Sequence, residues 1–255
     1  MSAARVAVLR SSPVKGLRQR EVPALELVDA GLVGDRRFVL VGEDGRVRYG
    51  AQLDGLANVV ADWGAVAGAL TITAPDGAAV SGSIELGEEV EARSTSGARA
   101  LVGRLVGEPF ADMLSELAGE RLVLLHVAPG VAAPGQVTIV GDGSLRRAAE
   151  AVGVTTMAAD RFRMNIELAG LAPHHEDGWE GRLGRIGTAT LRFGGQVPRC
   201  VLVTRDPVTR VRDHDVLRAI LAYREPMATG EAPFGVYATV VEPGRIAVGD
   251  PVALA

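Results

Sequence analysis

Turn-forming residues recur at short intervals along the chain and limit how far any single helix or strand can extend. The 255 residues include 32 glycines and 13 prolines, which predicts many short elements rather than long helices. Residues 36–50 are typical of a hairpin with EDG at the turn, and residues 70–80 of a second with PDG. Strands are also expected at 5–10 and 89–93. This first part of the chain therefore predicts a small barrel or sandwich.

Near residue 105 the pattern changes, and helices join the strands. A helix ending at Gly119 is predicted from four apolar residues at helical spacing, Phe110, Met113, Leu114 and Leu117. A strand, a turn and a second helix follow in the sequence VTIVGDGSLRRAAEAVG, with Ser144 as the predicted N-cap.

Two further elements are predicted beyond the middle of the chain. The apolar run CVLVTRD at 200–206 predicts a strand. Residues 213–225 predict a helix, whose N-cap is either Asp213 or Asp215.

These patterns together predict a mainly β fold with a few helices, of the α+β class. Two domains are expected: a β-barrel-like domain over residues 1–100, packed against a second β-barrel domain over residues 101–255. A composition of 47% hydrophobic and 23% charged residues is enough to bury a core in each.

The composition argues against nucleic-acid and membrane partners. The net charge is −4 and aromatic residues make up 4% of the chain, so neither a polyanion surface nor a base-stacking platform is expected. No stretch approaches the roughly 18 to 20 apolar residues of a membrane span. A single cysteine and the lack of a recognisable targeting segment predict a cytoplasmic location.

Lys15 is the only lysine, since the other 26 of the 27 basic residues are arginine. Its presence could reflect compositional bias alone. The alternative is a functional ammonium, because a compact charge on a flexible stem suits a phosphate group.

Cys200 is the only cysteine. It cannot form a disulfide within the chain or a zinc site by itself. Most single cysteines are buried structural residues, and the alternative is a reactive or metal-binding thiol beside Arg199.

Common catalytic signatures are absent from the sequence: the nucleophile elbow, the phosphate loop, the dinucleotide fingerprint and the H-E-x-x-H zinc motif. Polar residues instead flank several apolar runs. The arginines among them could form surface ion pairs of small energetic value, or several of these residues could converge on a phosphate-bearing ligand. The residues concerned are Arg36, Arg37, Arg161, Arg163, Asn165 and Arg199.

The segment PHHEDGWE places His174 and His175 beside Glu176 and Asp177. Adjacent residues on a strand point to opposite faces, so the pair is poorly arranged for a metal ion. A solvated loop is the simpler interpretation.

Six short segments in a fixed order give the chain its resemblance to a known family. It resembles the MOSC proteins (molybdenum cofactor sulfurase C-terminal domain) together with the β-barrel domain that often precedes them. Within that family it is similar to the group of mitochondrial amidoxime-reducing components and their bacterial relatives. The segments are SPVKG, GDRRFVLVGEDG, FADMLSEL, RFRMNI, PRCVLVTRDP and FGVYATVVEPGRIAVGDPV.

The resemblance implies a role for five residues. The family's molybdenum-binding cysteine matches Cys200, which would be both metal ligand and catalytic residue. Residues that contact the molybdopterin-type cofactor match Lys15, Arg36, Arg163 and Asn165. The resemblance also implies the pyridoxal phosphate binding attributed to the family as a whole.

The reaction implied by the resemblance is the two-electron reduction of an N-hydroxylated small molecule. One cysteine cannot hold an iron–sulfur cluster, and the dinucleotide fingerprint is missing, so a separate iron–sulfur or flavin protein is expected to supply the electrons. The chain departs from the family pattern at Gly16, Ala51 and Gly141, where relatives often have hydrogen-bonding side chains.

Two alternatives stay open. One is a carrier of the molybdenum cofactor, or a sulfur-relay protein, that uses Cys200 without turnover of its own. The other is an enzyme that uses the same cofactor on a different substrate. An exposed Cys200 on a shallow surface favours the carrier, whereas a pocket with polar groups aimed at a substrate favours an enzyme.

Overall fold

The computed structural model describes residues 4–49, 53–64, 68–94, 100–129 and 137–255. Within these ranges the chain forms nineteen strands and three α helices, which confirms the mainly β, α+β prediction. The strands are β1 (Arg5–Ser11), β2 (Arg20–Val22), β3 (Ala24–Val28), β4 (Gly31–Leu32), β5 (Phe38–Gly42), β6 (Val47–Arg48), β7 (Val60–Gly64), β8 (Ala69–Thr73), β9 (Ala79–Ser83), β10 (Leu86–Arg93), β11 (Ala100–Val106), β12 (Leu122–Val127), β13 (Val137–Gly141), β14 (Ile166–Ala169), β15 (Leu183–Ile186), β16 (Ala189–Arg199), β17 (Ala232–Glu242), β18 (Gly244–Ala247) and β19 (Val252–Leu254).

The helices are short, as the density of turn residues predicts. The α helices are α1 (Phe110–Ala118), α2 (Asp142–Val152) and α3 (Val216–Leu221). Single-turn 3₁₀ helices in the described ranges are Asp54–Leu56, Ala159–Phe162, His175–Trp179 and Val201–Thr204.

The first compact unit combines Met1–Arg10, Glu21–Val33 and Gly135–Ala255. Its main sheet has the strand order β19-β15-β16-β17-β13-β14-β1-β2, and β3, β4 and β18 form a smaller sheet. Strand β13 is parallel to β14 and antiparallel to β17. All five residues of β13 are buried, with Ile139 in one apolar core and Val140 in another. A strand covered on both faces is expected to be apolar throughout.

The second compact unit combines Ser11–Arg20 with Gly34–Pro134. It contains a five-stranded sheet in the order β10-β11-β12-β5-β6 and the three-stranded sheet β7-β8-β9. Helix α1 packs on β12, and its residues Phe110 and Leu114 lie in the apolar core. The boundary expected near residue 100 lies inside this unit, at the start of β11.

Several local predictions are confirmed. The two expected hairpins form as β5–β6 and β8–β9. Gly119 ends α1 with a left-handed φ of 70°, and its N–H donates to the carbonyls of Ser115 and Glu116. Asp215, rather than Asp213, caps α3 by accepting a bond from the Arg218 N–H.

Two local predictions are wrong. Ser144 does not cap α2, because the helix begins directly at Asp142 and Ser144 lies fully buried in its first turn. The run at 200–206 is not a strand but contains the 3₁₀ helix Val201–Thr204. In both places side chains distant in the sequence hold the backbone, as described below.

Truncating Ile139 should test the two-sided burial of β13. Ile139 is fully buried, so Ile139→Ala is expected to lower the free energy of unfolding by about 2–5 kcal/mol through lost burial and a residual cavity. Val241→Ala on β17 is the control, because Val241 is 43% exposed and a change of about 0.5 kcal/mol or less is expected. Urea denaturation measures both, and equal losses would contradict the two-sided core.

Candidate functional site

Cys200 lies at the exposed end of β16. Cys200 is exposed and precedes the 3₁₀ helix Val201–Thr204. In this helix the Val203 N–H donates to the Cys200 carbonyl over 3.2 Å. The Thr204 hydroxyl closes the turn by donating to the Val201 carbonyl over 2.6 Å. Val203 and Thr204 are buried. Val203 and Thr204 thus hold the turn in the protein interior, while Cys200 remains exposed.

A buried guanidinium holds this turn in place. The side chain of Arg161 is 6% exposed. It donates two bonds to the Asp213 carboxylate, over 2.8 and 2.7 Å, and others to the carbonyls of Val203 and Arg205. This pairing holds the pKa of Asp213 below its usual range. Because the Arg161 guanidinium donates to one carboxylate and two carbonyls, the apolar run at 200–206 forms a turn instead of the predicted strand.

Arg163 lies beside the same turn. Its backbone is left-handed, with φ of 54°, at the end of the 3₁₀ helix Ala159–Phe162. Phe162 stacks on Phe234 with ring centroids 4.0 Å apart. Arg199 donates a side-chain bond to the Phe162 carbonyl. Because Arg199 precedes Cys200 and Phe162 precedes Arg163, this bond brings the two predicted site residues to one place.

Asn165 is completely buried. Its side-chain oxygen accepts bonds from the Thr138 N–H and hydroxyl, over 3.1 and 2.9 Å. Its side-chain nitrogen donates to the Arg10 carbonyl over 3.2 Å. These bonds join β13 to the end of β1, so Asn165 positions the backbone around Arg163. A direct contact between Asn165 and a cofactor stays a prediction.

Lys15 and Arg36 belong to the second unit, and the backbone brings them together there. The Lys15 N–H donates to the Phe38 carbonyl, and the Arg36 N–H donates to the Ser12 carbonyl. The buried carboxylate of Asp35 accepts from the Ser12 N–H over 2.8 Å and pairs with the Arg36 guanidinium over 3.1 Å.

The side chains of these two cations have neighbours of their own in the second unit. The Lys15 ammonium lies 4.6 Å from the centre of the Tyr49 ring, a favourable cation–π geometry. Arg36 has a left-handed backbone with φ of 49°. For a residue with a side chain this conformation costs about 1–3 kcal/mol and occurs most often at functional sites.

Glu176 corrects the expectation of a solvated loop at PHHEDGWE. The segment forms the 3₁₀ helix His175–Trp179, and Glu176 is fully buried. One carboxyl oxygen accepts from the Ser144 hydroxyl over 2.6 Å and from the Gly141 N–H over 3.2 Å. Burial is the main cause that raises the pKa of Glu176. Among the described residues no cluster of three or more acidic, histidine or cysteine side chains is arranged for a metal ion.

His174 and Asp177 form a partly buried network beside Glu176. The Arg224 guanidinium bonds both the His174 ring and the Asp177 carboxylate, and Gln196 donates to the same carboxylate. Burial, with Arg224 and Arg147 nearby, lowers the pKa of His174 to about 4. His174 is therefore neutral near pH 7.

The two glycine departures that the structure describes have local explanations. Gly16 has a left-handed φ of 98°, which favours glycine. A Cβ at Gly141 would lie 3.0 Å from a Glu176 oxygen and 3.1 Å from the Leu171 Cβ, so a side chain there would crowd the buried acid. Ala51, the third departure, lies outside the described residues.

Sequence reasoning missed the partners that shape this site. Arg161 was recognised as a candidate, but its partner Asp213 lies 52 positions away, and Ser144 lies 32 positions from Glu176. The one available signal is the charged residue Glu176 in a segment flanked by Leu171 and Trp179, which pack in one apolar core.

Replacing Arg161 should release the Cys200 turn. Arg161→Met leaves one carboxylate and two carbonyls without their donor, so a loss of about 2–4 kcal/mol in unfolding free energy is expected. Trypsin should also cleave at Arg205 or Arg210 faster than in the unmodified chain. Arg218→Met, at an exposed position of α3, should change neither property. Unchanged stability and cleavage in Arg161→Met would contradict the role of the guanidinium.

Replacing Glu176 should change how stability depends on pH. Because its folded pKa lies above the usual 4.5, the native state holds this proton in a range where the unfolded state has lost it. Unfolding free energy from this group therefore falls as pH rises above 4.5. Glu176→Gln removes the group, so the variant should lose less stability than the unmodified chain between pH 5 and 8.

Denaturant titrations across that range measure the effect, and His174, present in both chains, cancels from the difference. Glu180→Gln is the control, because Glu180 is exposed and its profile should follow that of the unmodified chain. Parallel profiles for Glu176→Gln would show that Glu176 is ionised in the fold.

Curated relatives match part of the chain. Mitochondrial amidoxime-reducing component 1 from Mus musculus is 38% identical over 103 residues, which is 38% of this chain and 30% of that protein. The protein of that name from Homo sapiens matches over the same shares. Mitochondrial amidoxime reducing component 2 from Bos taurus is 35% identical over 100 residues, 36% of this chain and 29% of that protein. The match thus spans about a third of the length of these relatives.

The match to a solved structure, the YUAD protein from Bacillus subtilis, covers 99% of this chain and 96% of the YUAD chain, at 12% identity and a TM-score of 0.48.

In the described part of the chain, no helix combines the length and apolar character needed to cross a membrane.

Two family models together match nearly the whole chain. The model of the MOSC N-terminal beta barrel domain matches residues 3–121, and that of the MOSC domain matches residues 130–253. Their order is the one that the sequence resemblance implies. The chain belongs to the MOSC family, with an N-terminal MOSC beta barrel domain ahead of its MOSC domain.

Proposed function

We propose that this chain is a molybdenum-cofactor-dependent oxidoreductase that reduces N-hydroxylated small molecules with electrons from a separate protein. The observation that carries the proposal is that the Cys200 turn is held next to a second predicted cofactor residue. Arg161 fixes the turn after Cys200, and the Arg199 bond to Phe162 holds that turn beside Arg163. The relatives whose names refer to amidoxime reduction support the reaction class.

The donor set fits a molybdenum cofactor. Thiolate is the soft ligand that molybdenum in a sulfur-rich cofactor favours, and Cys200 supplies it at an accessible position. A guanidinium suits the cofactor's phosphate, and Arg163 is the residue proposed for that end. The roles of Arg36 and Lys15 stay predictions from the sequence. Asn165 supports Arg163 through the bonds to Thr138 and Arg10.

When bound, the cofactor supplies two-electron redox chemistry that this chain's side chains do not provide. The proposed reaction consumes two electrons and two protons: the N–O bond breaks, the amine or amidine is released, and the oxygen leaves as water. The electron donor is oxidised by two electrons in all. The part of Cys200 is to hold the metal, and the part of the arginines is to fix the cofactor's orientation.

A second candidate is a carrier or sulfur-relay protein that uses Cys200 without turnover. The exposure of Cys200 favours it, since a transfer thiol has to reach another protein. Enzyme and carrier differ in one property: only the enzyme converts an N-hydroxylated compound when a chemical reductant is supplied. A cytoplasmic location and pyridoxal phosphate binding stay predictions from the sequence.

Cys200→Ser tests the proposal in protein purified from a host that makes the cofactor. The unmodified chain should carry close to one molybdenum per chain and reduce an amidoxime when reduced methyl viologen supplies electrons. Serine lacks the soft sulfur donor, so retained molybdenum should fall at least about tenfold and activity should fall with it. Mass spectrometry of the metal and chromatography of the amidine product provide the two readouts.

Val248→Ser is the matched control, because Val248 is 51% exposed and is assigned no part of the site. It should keep both metal and activity. Full molybdenum without turnover in the unmodified chain would favour the carrier, and equal molybdenum in Cys200→Ser would overturn the role of Cys200 as a ligand.

A further inference from the structure

A basic and apolar loop follows Cys200, within a chain that is acidic as a whole. Residues 199–212 contain four arginines and one aspartate, whereas the whole chain has a net charge of −4. Arg205 and Arg212 form an antiparallel bridge that closes the loop. We call residues 205–212 the arginine loop.

The loop presents apolar surface as well as charge. Of the exposed large hydrophobic residues in the described chain, three lie on or next to this loop: Val201 at 57%, Val208 at 42% and Val211 at 62% exposure. Arg212 is exposed. An apolar centre with a charged rim is the usual composition of a protein-docking surface.

The acidic residues near the loop are occupied by internal bonds. The Asp206 carboxylate accepts from the N–H groups of Val208 and Thr209, which lower its pKa. The Asp213 carboxylate is held by Arg161. The loop has three arginines and one aspartate, and Arg212 is the exposed arginine of the three.

The loop is also fixed in shape before any partner binds. The Asp206 N–H donates to the Val211 carbonyl, and the Arg210 N–H donates to the Asp206 carbonyl. Arg205 donates to the Arg210 carbonyl over 3.0 Å, and Arg161 binds the Arg205 carbonyl at the base. A preorganised surface loses little entropy on binding.

The loop is close to Cys200. A single 3₁₀ helix separates Cys200 from Arg205, and at about 2 Å per residue these two residues are about 10 Å apart. A protein docked on the loop would thus be next to the thiol.

We infer that the arginine loop, with Val201 beside it, is the docking surface for a small acidic electron-carrier protein. The inference rests on the proposed function, because that reaction needs electrons from outside the chain. Carboxylates on the carrier would face Arg205, Arg210 and Arg212, and an apolar patch would cover Val208 and Val211. Complementary charge of this kind steers association and weakens as salt is added.

The test uses the full cofactor-loaded chain and a plant-type [2Fe–2S] ferredoxin as the acidic carrier. The loop variant is Val211→Asp with Arg212→Glu, and both positions are exposed. The matched control is Val248→Asp with Arg185→Glu, which makes the same chemical changes at exposed positions outside the loop. Circular dichroism should show that both variants fold like the unmodified chain.

Amidoxime reduction is measured with two electron sources. With reduced methyl viologen, all three proteins should work at rates within about twofold of one another. With reduced ferredoxin, kcat/KM of the loop variant should fall about ten- to a hundredfold, while the control variant keeps the unmodified rate. The unmodified rate with ferredoxin should also fall between 20 and 200 mM salt, because the added salt shortens the screening length to less than about 8 Å.

Fluorescence anisotropy with labelled oxidised ferredoxin measures docking without turnover. The inference is supported if ferredoxin binds the unmodified chain and the control variant equally, and binds the loop variant at least tenfold more weakly. Equal binding and equal ferredoxin-driven rates in all three proteins overturn it. The inference is also overturned if the unmodified chain binds a single-stranded oligonucleotide but not ferredoxin, and the loop variant loses that oligonucleotide binding. If methyl viologen drives no turnover in the unmodified chain, the proposed function fails, and the anisotropy result alone decides whether the loop docks the carrier.

Discussion

The buried guanidinium of Arg161 is the contact on which the candidate site most depends. It joins the 3₁₀ helix Ala159–Phe162 to the turn after Cys200 and to the Asp213 carboxylate. Removing such a charge from water is costly unless it is paired and hydrogen-bonded, and here a carboxylate and two carbonyls accept from its two terminal nitrogens. The result is a rigid turn that keeps the thiol exposed and the following loop in one shape. Accessibility of Cys200 is thus a consequence of packing beneath it.

A buried acid, Glu176, organises another part of the same unit. Glu176 holds the start of α2 by accepting bonds from Gly141 and Ser144. Helix α2 directly follows β13, and the neighbouring strand β14 begins directly after Asn165. Asn165 in turn ties Thr138 to Arg10. Polar groups of this kind stabilise a fold only when they are hydrogen-bonded. They fix the backbone from which Arg163 projects, so much of the polar chemistry near the site is positional.

The sequence predicted the features that neighbouring residues determine. The hairpins β5–β6 and β8–β9 and the end of α1 at Gly119 follow from turn chemistry and helical spacing, and the two single residues, Lys15 and Cys200, lie in the segments that the family match selects. Contacts across long stretches of sequence were beyond its reach. Ser144 was predicted as a helix cap because its actual partner, Glu176, lies 32 positions away and cannot be inferred from neighbouring residues. The division of the chain was equally hidden, since residues 11–20 belong with 34–134 and not with their neighbours.

Whether Cys200 binds molybdenum in a cofactor held by this chain can be measured by X-ray absorption spectroscopy at the molybdenum edge. The samples are the unmodified chain and whatever metal Cys200→Ser retains. The unmodified chain should show one sulfur neighbour more than the variant, because the cofactor's own sulfur ligands are common to both. Identical sulfur coordination in the two proteins would contradict it and would leave Cys200 as an exposed thiol with another use.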